Sequence, residues 1–321
     1  MPDASDVDRA AAIVRRHLGA TPVVPAPPLG RDVWLKLETL QPTGSFKVRG
    51  AVVAVTAAMA RDRRAPIVTA SAGNHGLGIA FAADRLGATA TIVVPTNASE
   101  AKREAIERFS VKLVRHGTSY DEAEAHALTL ADAGAIFVSP YNDPDVIAGQ
   151  GTIAVELLEQ VPGLATIVTP IGGGGLASGL GLDASTMAGA TGAGVRVFGV
   201  EADRSPAMRS ALDAGGPVPI TPGETLADGL AGNLEPGTVT FDLVRRTVAD
   251  VATVSEAEIA TAMRFLAFEH GLVAEGSAAV GVAALLTRRV APTAGPTVVI
   301  VTGRNIAAGT LARVLTGQTA G

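Results

Sequence analysis

Residues 166–176 read TIVTPIGGGGL, and this stretch decides the fold class. A short run rich in β-branched residues gives way to four glycines, and an apolar helical pattern begins near Leu176. A strand that feeds a helix through a glycine loop is one half of a parallel βαβ unit. The same alternation extends outward in both directions. Candidate strands fall at 33–37, 66–70, 90–94, 111–114, 136–139, 195–200, 251–254 and 297–301, with helix-length segments between nearly every pair. One such helix, over 99–109, opens on Ser99 as its expected cap, ahead of Glu100 and Glu104. The fold is therefore expected to be α/β, with mostly parallel sheets flanked by helices. At 321 residues the chain exceeds a single core, so two unequal lobes are expected. No linker marks a boundary, which suggests that the chain crosses between them twice. Two segments resist assignment, the Pro-rich 21–30 and the turn-rich connection 215–236.

Composition narrows the function. The chain has no cysteine, which excludes disulfides, thiolate catalysis and iron–sulfur clusters and favours an intracellular setting. Residues 1–8 carry three aspartates and no apolar run, so no secretory signal is expected and the cytoplasm follows by default. Apolar stretches such as 51–60 are too short to span a bilayer. A net charge of −5 with scattered Lys and Arg leaves no footprint for nucleic acid or an anionic membrane. A small-molecule ligand is the remaining class.

The glycines 172–175 let a backbone approach an anion, and the following helix N-terminus supplies a matching field. No Gly-Lys-Ser/Thr follows, so this is not a triphosphate loop. A dinucleotide site is a rival, because Gly172, Gly174 and Ala177 fit a loosened G-x-G-x-x-A pattern and Glu201 ends the next strand. Close strand–helix packing without a ligand is the plainer alternative. A second loop, SAGNHG at 71–76, joins a strand to a helix and suits a carboxylate or phosphate, although Ser71 or Asn74 acting only as a cap explains part of it. His75 reads either as a base or as a packed residue.

The third segment is QPTGSFKVRGA at 41–51. Only Lys36, Lys47, Lys102 and Lys112 are lysines, and Lys47 falls in the first turn of a helix. The helix dipole and nearby Arg49 both disfavour its charge, so in a dry site its amine becomes a nucleophile toward an aldehyde. A solvated lysine is the alternative.

Taken together, QPTGSFKVRGA, SAGNHG, IAGQGT at 147–152, IGGGGL at 171–176 and VTGRN at 301–305 resemble fold-type II pyridoxal-phosphate enzymes, in particular the serine/threonine dehydratase and serine racemase group. The resemblance implies a tryptophan synthase β-like fold, with 1–65 plus 144–321 as a large cofactor-binding lobe and 66–143 as a small mobile lobe. It implies that Lys47 holds pyridoxal 5'-phosphate as a Schiff base beside Phe46. Asn74 would bond the ring hydroxyl, Gly172, Gly173, Gly174, Gly175 and Leu176 the phosphate, and Thr302 the pyridine nitrogen. Ser71, Ala72, Gly73, Asn74 and His75 would grip the substrate carboxylate. A neutral hydroxyl at Thr302 leaves the ring nitrogen largely uncharged, which suits elimination. Lys47 would then be the base at the α-carbon. The cofactor phosphate, or else Glu275, would protonate the leaving hydroxyl, with a structural helix cap as the other reading of Glu275. The implied reaction converts a small β-hydroxyamino acid, such as L-threonine or L-serine, to a 2-oxo acid and ammonia, in a cytoplasmic homodimer. The alternatives are a serine or hydroxyaspartate racemase/dehydratase of the same group and an NAD-dependent dehydrogenase.

Departures from the pattern carry information too. Ala72 replaces the serine that serves racemases as the second acid–base. Ala207 stands where a cation-binding aspartate is expected after Glu201, so no metal site is expected, Glu201 being at most a remnant of one. Arg304 interrupts the usual Ser-Gly-Gly-Asn ending, as a phosphate contact or a surface arginine. With little chain beyond Leu315, no regulatory domain is expected. Part of the substrate pocket is expected from the 215–236 connection with its Leu226-Ala227-Asp228-Gly229.

Overall fold

The computed structural model describes residues 1–184, 194–291 and 294–318. Its strands are β1 (Val23–Pro25), β2 (Val33–Leu37), β3 (Ile67–Ala70), β4 (Ala90–Val94), β5 (Lys112–Arg115), β6 (Ile136–Phe137), β7 (Thr166–Pro170), β8 (Arg196–Ala202), β9 (Val248–Val254) and β10 (Thr297–Val301). They form a six-stranded sheet in the order β1-β2-β10-β7-β8-β9 and a four-stranded sheet in the order β5-β4-β3-β6. The molecule is α/β, as the alternation of runs requires. Every pairing is parallel except β1 with β2. Parallel strands covered by helices on both faces lose the polar–apolar alternation, and β3, β7 and β10 are buried at every position.

The Pro-rich 21–30 segment, unassigned from sequence, contributes β1. It lies at the sheet edge, where the missing N–H of Pro25 disrupts no interior ladder. Ser99 occupies the expected N-cap position, but its hydroxyl makes no capping bond to helix Glu100–Glu107. That departs from expectation, because the backbone presents the N–H groups without a side-chain acceptor. Among the described residues no helix is long and apolar enough to cross a membrane.

Two helices position the site. Helix Lys47–Arg61 follows β2 after the turn Glu38–Leu40, and it crosses helix Pro144–Gln160 at very short range. A Cβ added to Gly149 would lie 2.5 Å from the Gly50 Cα, so the IAGQGT glycines are there for backbone contact. Beneath this crossing lies a dry ionic cluster. Arg49, fully buried, places Nε 2.8 Å from Glu38 Oε2 and Nη1 2.7 Å from Glu156 Oε1, while Lys36 Nζ lies 2.6 Å from Glu156 Oε2. Two cations and two carboxylates balance, which is the condition for tolerating buried charge.

Candidate active site

The segments singled out above converge at the C-terminal ends of parallel strands, the edge where open α/β sheets bind ligands. Ser71 follows β3, Gly172 follows β7, and Thr302 follows β10. They surround a cavity of about 750 Å³. Phe46, Lys47, Ser71, Gly73, Asn74, His75, residues 172–176, Glu275 and Thr302 all line it. Ala72 does not. Its half-buried methyl touches the apolar core of the four-stranded sheet, and of the five loop positions it alone is not among the residues lining the cavity.

Lys47 opens its helix, and its Nζ donates to the Pro140 carbonyl at 2.8 Å. Burial pulls its pKa down to about 8, against the opposing pull of the Glu275 carboxylate. Arg49 is not the cause. Contrary to expectation it points the other way, because Glu38 and Glu156 neutralise it. The Lys47 ammonium lies 5.3 Å from the centroid of the Phe46 ring.

Glu275 precedes helix Gly276–Leu286 at the cap position, yet its side chain caps nothing. Its Oε1 accepts from Asn74 Nδ2 at 2.9 Å, and Asn305 Nδ2 donates to Asn74 Oδ1 at 2.7 Å. Burial pushes Glu275 up to about 7, with the Asn74 bond opposing the shift. His75 is buried with Nε2 3.3 Å from the Val138 carbonyl, and its Nδ1 has no hydrogen-bond partner among the described residues. Burial first, and the neighbouring Lys47 charge second, hold its pKa down to about 3, so the ring is neutral. A neutral imidazole is a hydrogen-bonding group here and not a cation.

The glycine loop tolerates no side chains. A Cβ at Gly173 would stand 2.3 Å from Tyr141 Cγ, one at Gly175 2.8 Å from the Tyr141 carbonyl oxygen, and Gly174 has φ +89°. Helix Gly175–Ala184 starts at the loop, so free backbone N–H groups converge there. Amine, bare backbone donors and an unpartnered buried ring nitrogen in one cavity fit a phosphorylated aldehyde such as pyridoxal phosphate.

Glu201 lies elsewhere. Its two oxygens each accept a 2.8 Å bond, from the backbone N–H groups of Met208 and Arg209. It caps helix Ala207–Ala214 and is not among the residues lining the cavity, which removes the acid that a dinucleotide ribose would need. Arg304 donates to the Thr39 carbonyl and its N–H bonds the Gly44 carbonyl at 2.9 Å, so it ties the closing loop to the lysine segment.

Sequence reasoning missed Tyr120, Asp121, Glu124, Pro140 and Tyr141, all of which line the cavity. The available signal was the position of Pro140 and Tyr141 just past a parallel strand. The 215–236 connection does contribute a wall, through Pro222 and residues 229–236.

Comparison with known proteins places this geometry. The family model described as pyridoxal-phosphate dependent enzyme matches residues 14–303. An L-threonine ammonia-lyase of Thermotoga maritima is 42% identical over 260 residues, covering 81% of this chain and 64% of the relative. The chain thus spans a little under two thirds of that relative's length. A putative threonine dehydratase of Sinorhizobium fredii is 36% identical over 318 residues, covering 97% of this chain and 94% of the relative. Among solved structures, maize serine racemase superposes with a TM-score of 0.89 at 30% identity, covering 99% of this chain and 98% of the racemase. With a lysine, a glycine cradle and a family match over most of its length, the chain belongs to the pyridoxal-phosphate dependent enzymes of fold type II.

Proposed function

We propose that the protein is a dehydratase that eliminates water from a small β-hydroxyamino acid, L-threonine or L-serine, to give a 2-oxo acid and ammonia. The observation that carries this is Lys47, whose amine is buried with a pKa near 8 in a cavity walled by the glycine loop. Relatives named as threonine ammonia-lyase and threonine dehydratase support the reaction class.

When bound, pyridoxal phosphate supplies an electron-withdrawing ring conjugated with the substrate's α-carbon. Lys47 Nζ would hold its aldehyde carbon, the N–H groups of 172–176 would take its phosphate, and Asn74 and Thr302 would serve its ring hydroxyl and ring nitrogen. Ser71, Gly73, Asn74 and His75 orient the substrate carboxylate. As a free amine, Lys47 Nζ would accept the proton from the substrate's α-carbon. Its depressed pKa keeps a useful fraction of free base near neutral pH. Glu275, held near 7, is partly protonated under the same conditions and serves as the proton source for the departing hydroxyl. Racemisation requires a second proton carrier, and Ala72, at the position where the racemases carry a serine, offers only a methyl.

In this reading residues 66–143 form the small lobe that closes over the substrate against a large lobe of 1–65 plus 144–321. The active form is a cytoplasmic homodimer, as the family resemblance implies.

The test is ammonia release from serine and threonine by protein loaded with pyridoxal phosphate, together with borohydride reduction and digestion. We expect release from at least one of the two and a reduced pyridoxyl group on the peptide containing Lys47. An unlabelled peptide would overturn the assignment.

A further inference from the structure

The part of the cavity left over by the proposed cofactor and carboxylate contacts has its own chemistry. One wall is the start of helix Tyr120–Asp132, with Tyr120, Asp121 and Glu124. The facing wall presents Tyr141 and Glu235. The Tyr120 hydroxyl donates to Glu124 Oε1 at 2.7 Å. Glu235 accepts from Asn142 Nδ2 at 3.0 Å and from Ser139 Oγ at 3.2 Å. Neutral donors orient these carboxylates without cancelling their charge.

The two walls feel each other electrostatically. Burial raises the pKa of Glu124, and the charges of Glu235 and Asp121 raise it further. Burial likewise raises Tyr120, with Glu124 and Glu235 adding to the effect. Among the described residues none of Asp121, Glu124 and Glu235 forms an ion pair, and the cavity lining holds no lysine or arginine besides Lys47. A second substrate carboxylate would enter a half-buried space between like charges and meet no cation.

We infer that this acidic wall selects hydroxyamino acids with an uncharged side chain and excludes those bearing a second carboxylate, such as 3-hydroxyaspartate. The inference rests on the proposed function only in taking an amino acid as the ligand. Selectivity of this kind comes from a repulsive element built against the wrong ligand. Glu124 and Glu235 are the residues that set it.

L-Asparagine and L-aspartate form a nearly isosteric pair that differs in charge and lacks the leaving hydroxyl, so binding is separated from turnover. Holoenzyme is titrated with each, and the change in cofactor absorbance is read. Aspartate should need at least about tenfold more ligand than asparagine for half-saturation, a gap that narrows at high salt. Glu124→Gln and Glu235→Gln keep an acceptor for Tyr120 and Asn142 while removing the charge, and each should bring the gap to within roughly threefold. Equal half-saturation in the wild type, or a gap unchanged in both variants, would overturn the inference. So would a site that answers to neither ligand, since asparagine is a neutral side chain this wall should accept. Ammonia release from serine and threonine is read on the same preparations. Its absence would count against dehydration and leave the ligand comparison standing.

Discussion

Asn74 and Glu275 lie 201 positions apart in the chain and meet through a 2.9 Å hydrogen bond from Asn74 Nδ2 to Glu275 Oε1. Asn74 begins the helix after β3 of the four-stranded sheet, and Glu275 stands just before a helix packed on the six-stranded sheet. The bond therefore joins the two sheets across the cavity that holds Lys47. Glu275 also supplies the anion that opposes the loss of charge on Lys47.

Replacing Glu275 with Gln removes that anion while keeping an amide oxygen for Asn74. In the folded protein Lys47 titrates near 8 instead of its ordinary 10.5, so its free amine prevails above about pH 8. Glu275 raises that value, and its loss should lower it further. The pH midpoint of the rate at which apoprotein captures pyridoxal phosphate, followed by absorbance, should move down in Glu275→Gln. An upward shift would contradict the assigned electrostatics.

Arg49→Met leaves the buried Glu38 without a cation, while Glu156 keeps only Lys36. Breaking a buried pair by removing one partner costs about 3–5 kcal/mol. Arg49→Lys keeps one charge but not the fork that reaches both carboxylates, and it should fall between wild type and Met. Urea unfolding of the three proteins measures the order. Equal midpoints would show that the cluster carries no net stability.

Gly173→Ala pushes a methyl into the Tyr141 ring, which stands 2.3 Å from the ideal Cβ at its Cγ. The loop must shift, and its N–H groups with it. Affinity for pyridoxal phosphate should fall by about tenfold or more, since a shift that costs about 1.4 kcal/mol is a factor of ten in binding. Equilibrium titration of the apoprotein by cofactor absorbance tests this. The far-ultraviolet circular dichroism should stay unchanged.

Tyr141→Phe removes the oxygen that accepts the Glu235 N–H at 2.7 Å. The lost bond is worth about 1 kcal/mol, and it anchors the 229–236 wall beside the substrate space. KM for the best hydroxyamino acid should rise several-fold with kcat less affected, as expected for a group that holds a wall and touches no reacting atom. Steady-state kinetics separates the two constants.

Apart from β1 and β9, the strands were legible to within two residues at each end, because a β-branched run bounded by turn residues is a local signal. β9 begins at Val248, ahead of the expected 251, since its irregular register with β8 extends pairing into exposed positions. β1 was hidden for a different reason. Three residues ending in Pro25 carry no pattern, and only the edge of β2 makes them a strand. The glycine loop and the lysine were readable because their chemistry is contained in a few consecutive residues.

What the sequence determined by itself was the α/β alternation, the three anion- and amine-bearing loops and the scarcity of lysine that singled out Lys47. These are properties of neighbours along the chain. Tertiary structure alone decided that Arg49 turns away from Lys47 toward Glu156, 107 positions distant, and that Glu235 faces Asn142 across 93 positions. It also decided that Ala72 is not among the residues lining the cavity and that Glu201 is consumed by backbone donors. Charge acts through space, and a side chain's field and burial depend on partners that local pattern cannot name.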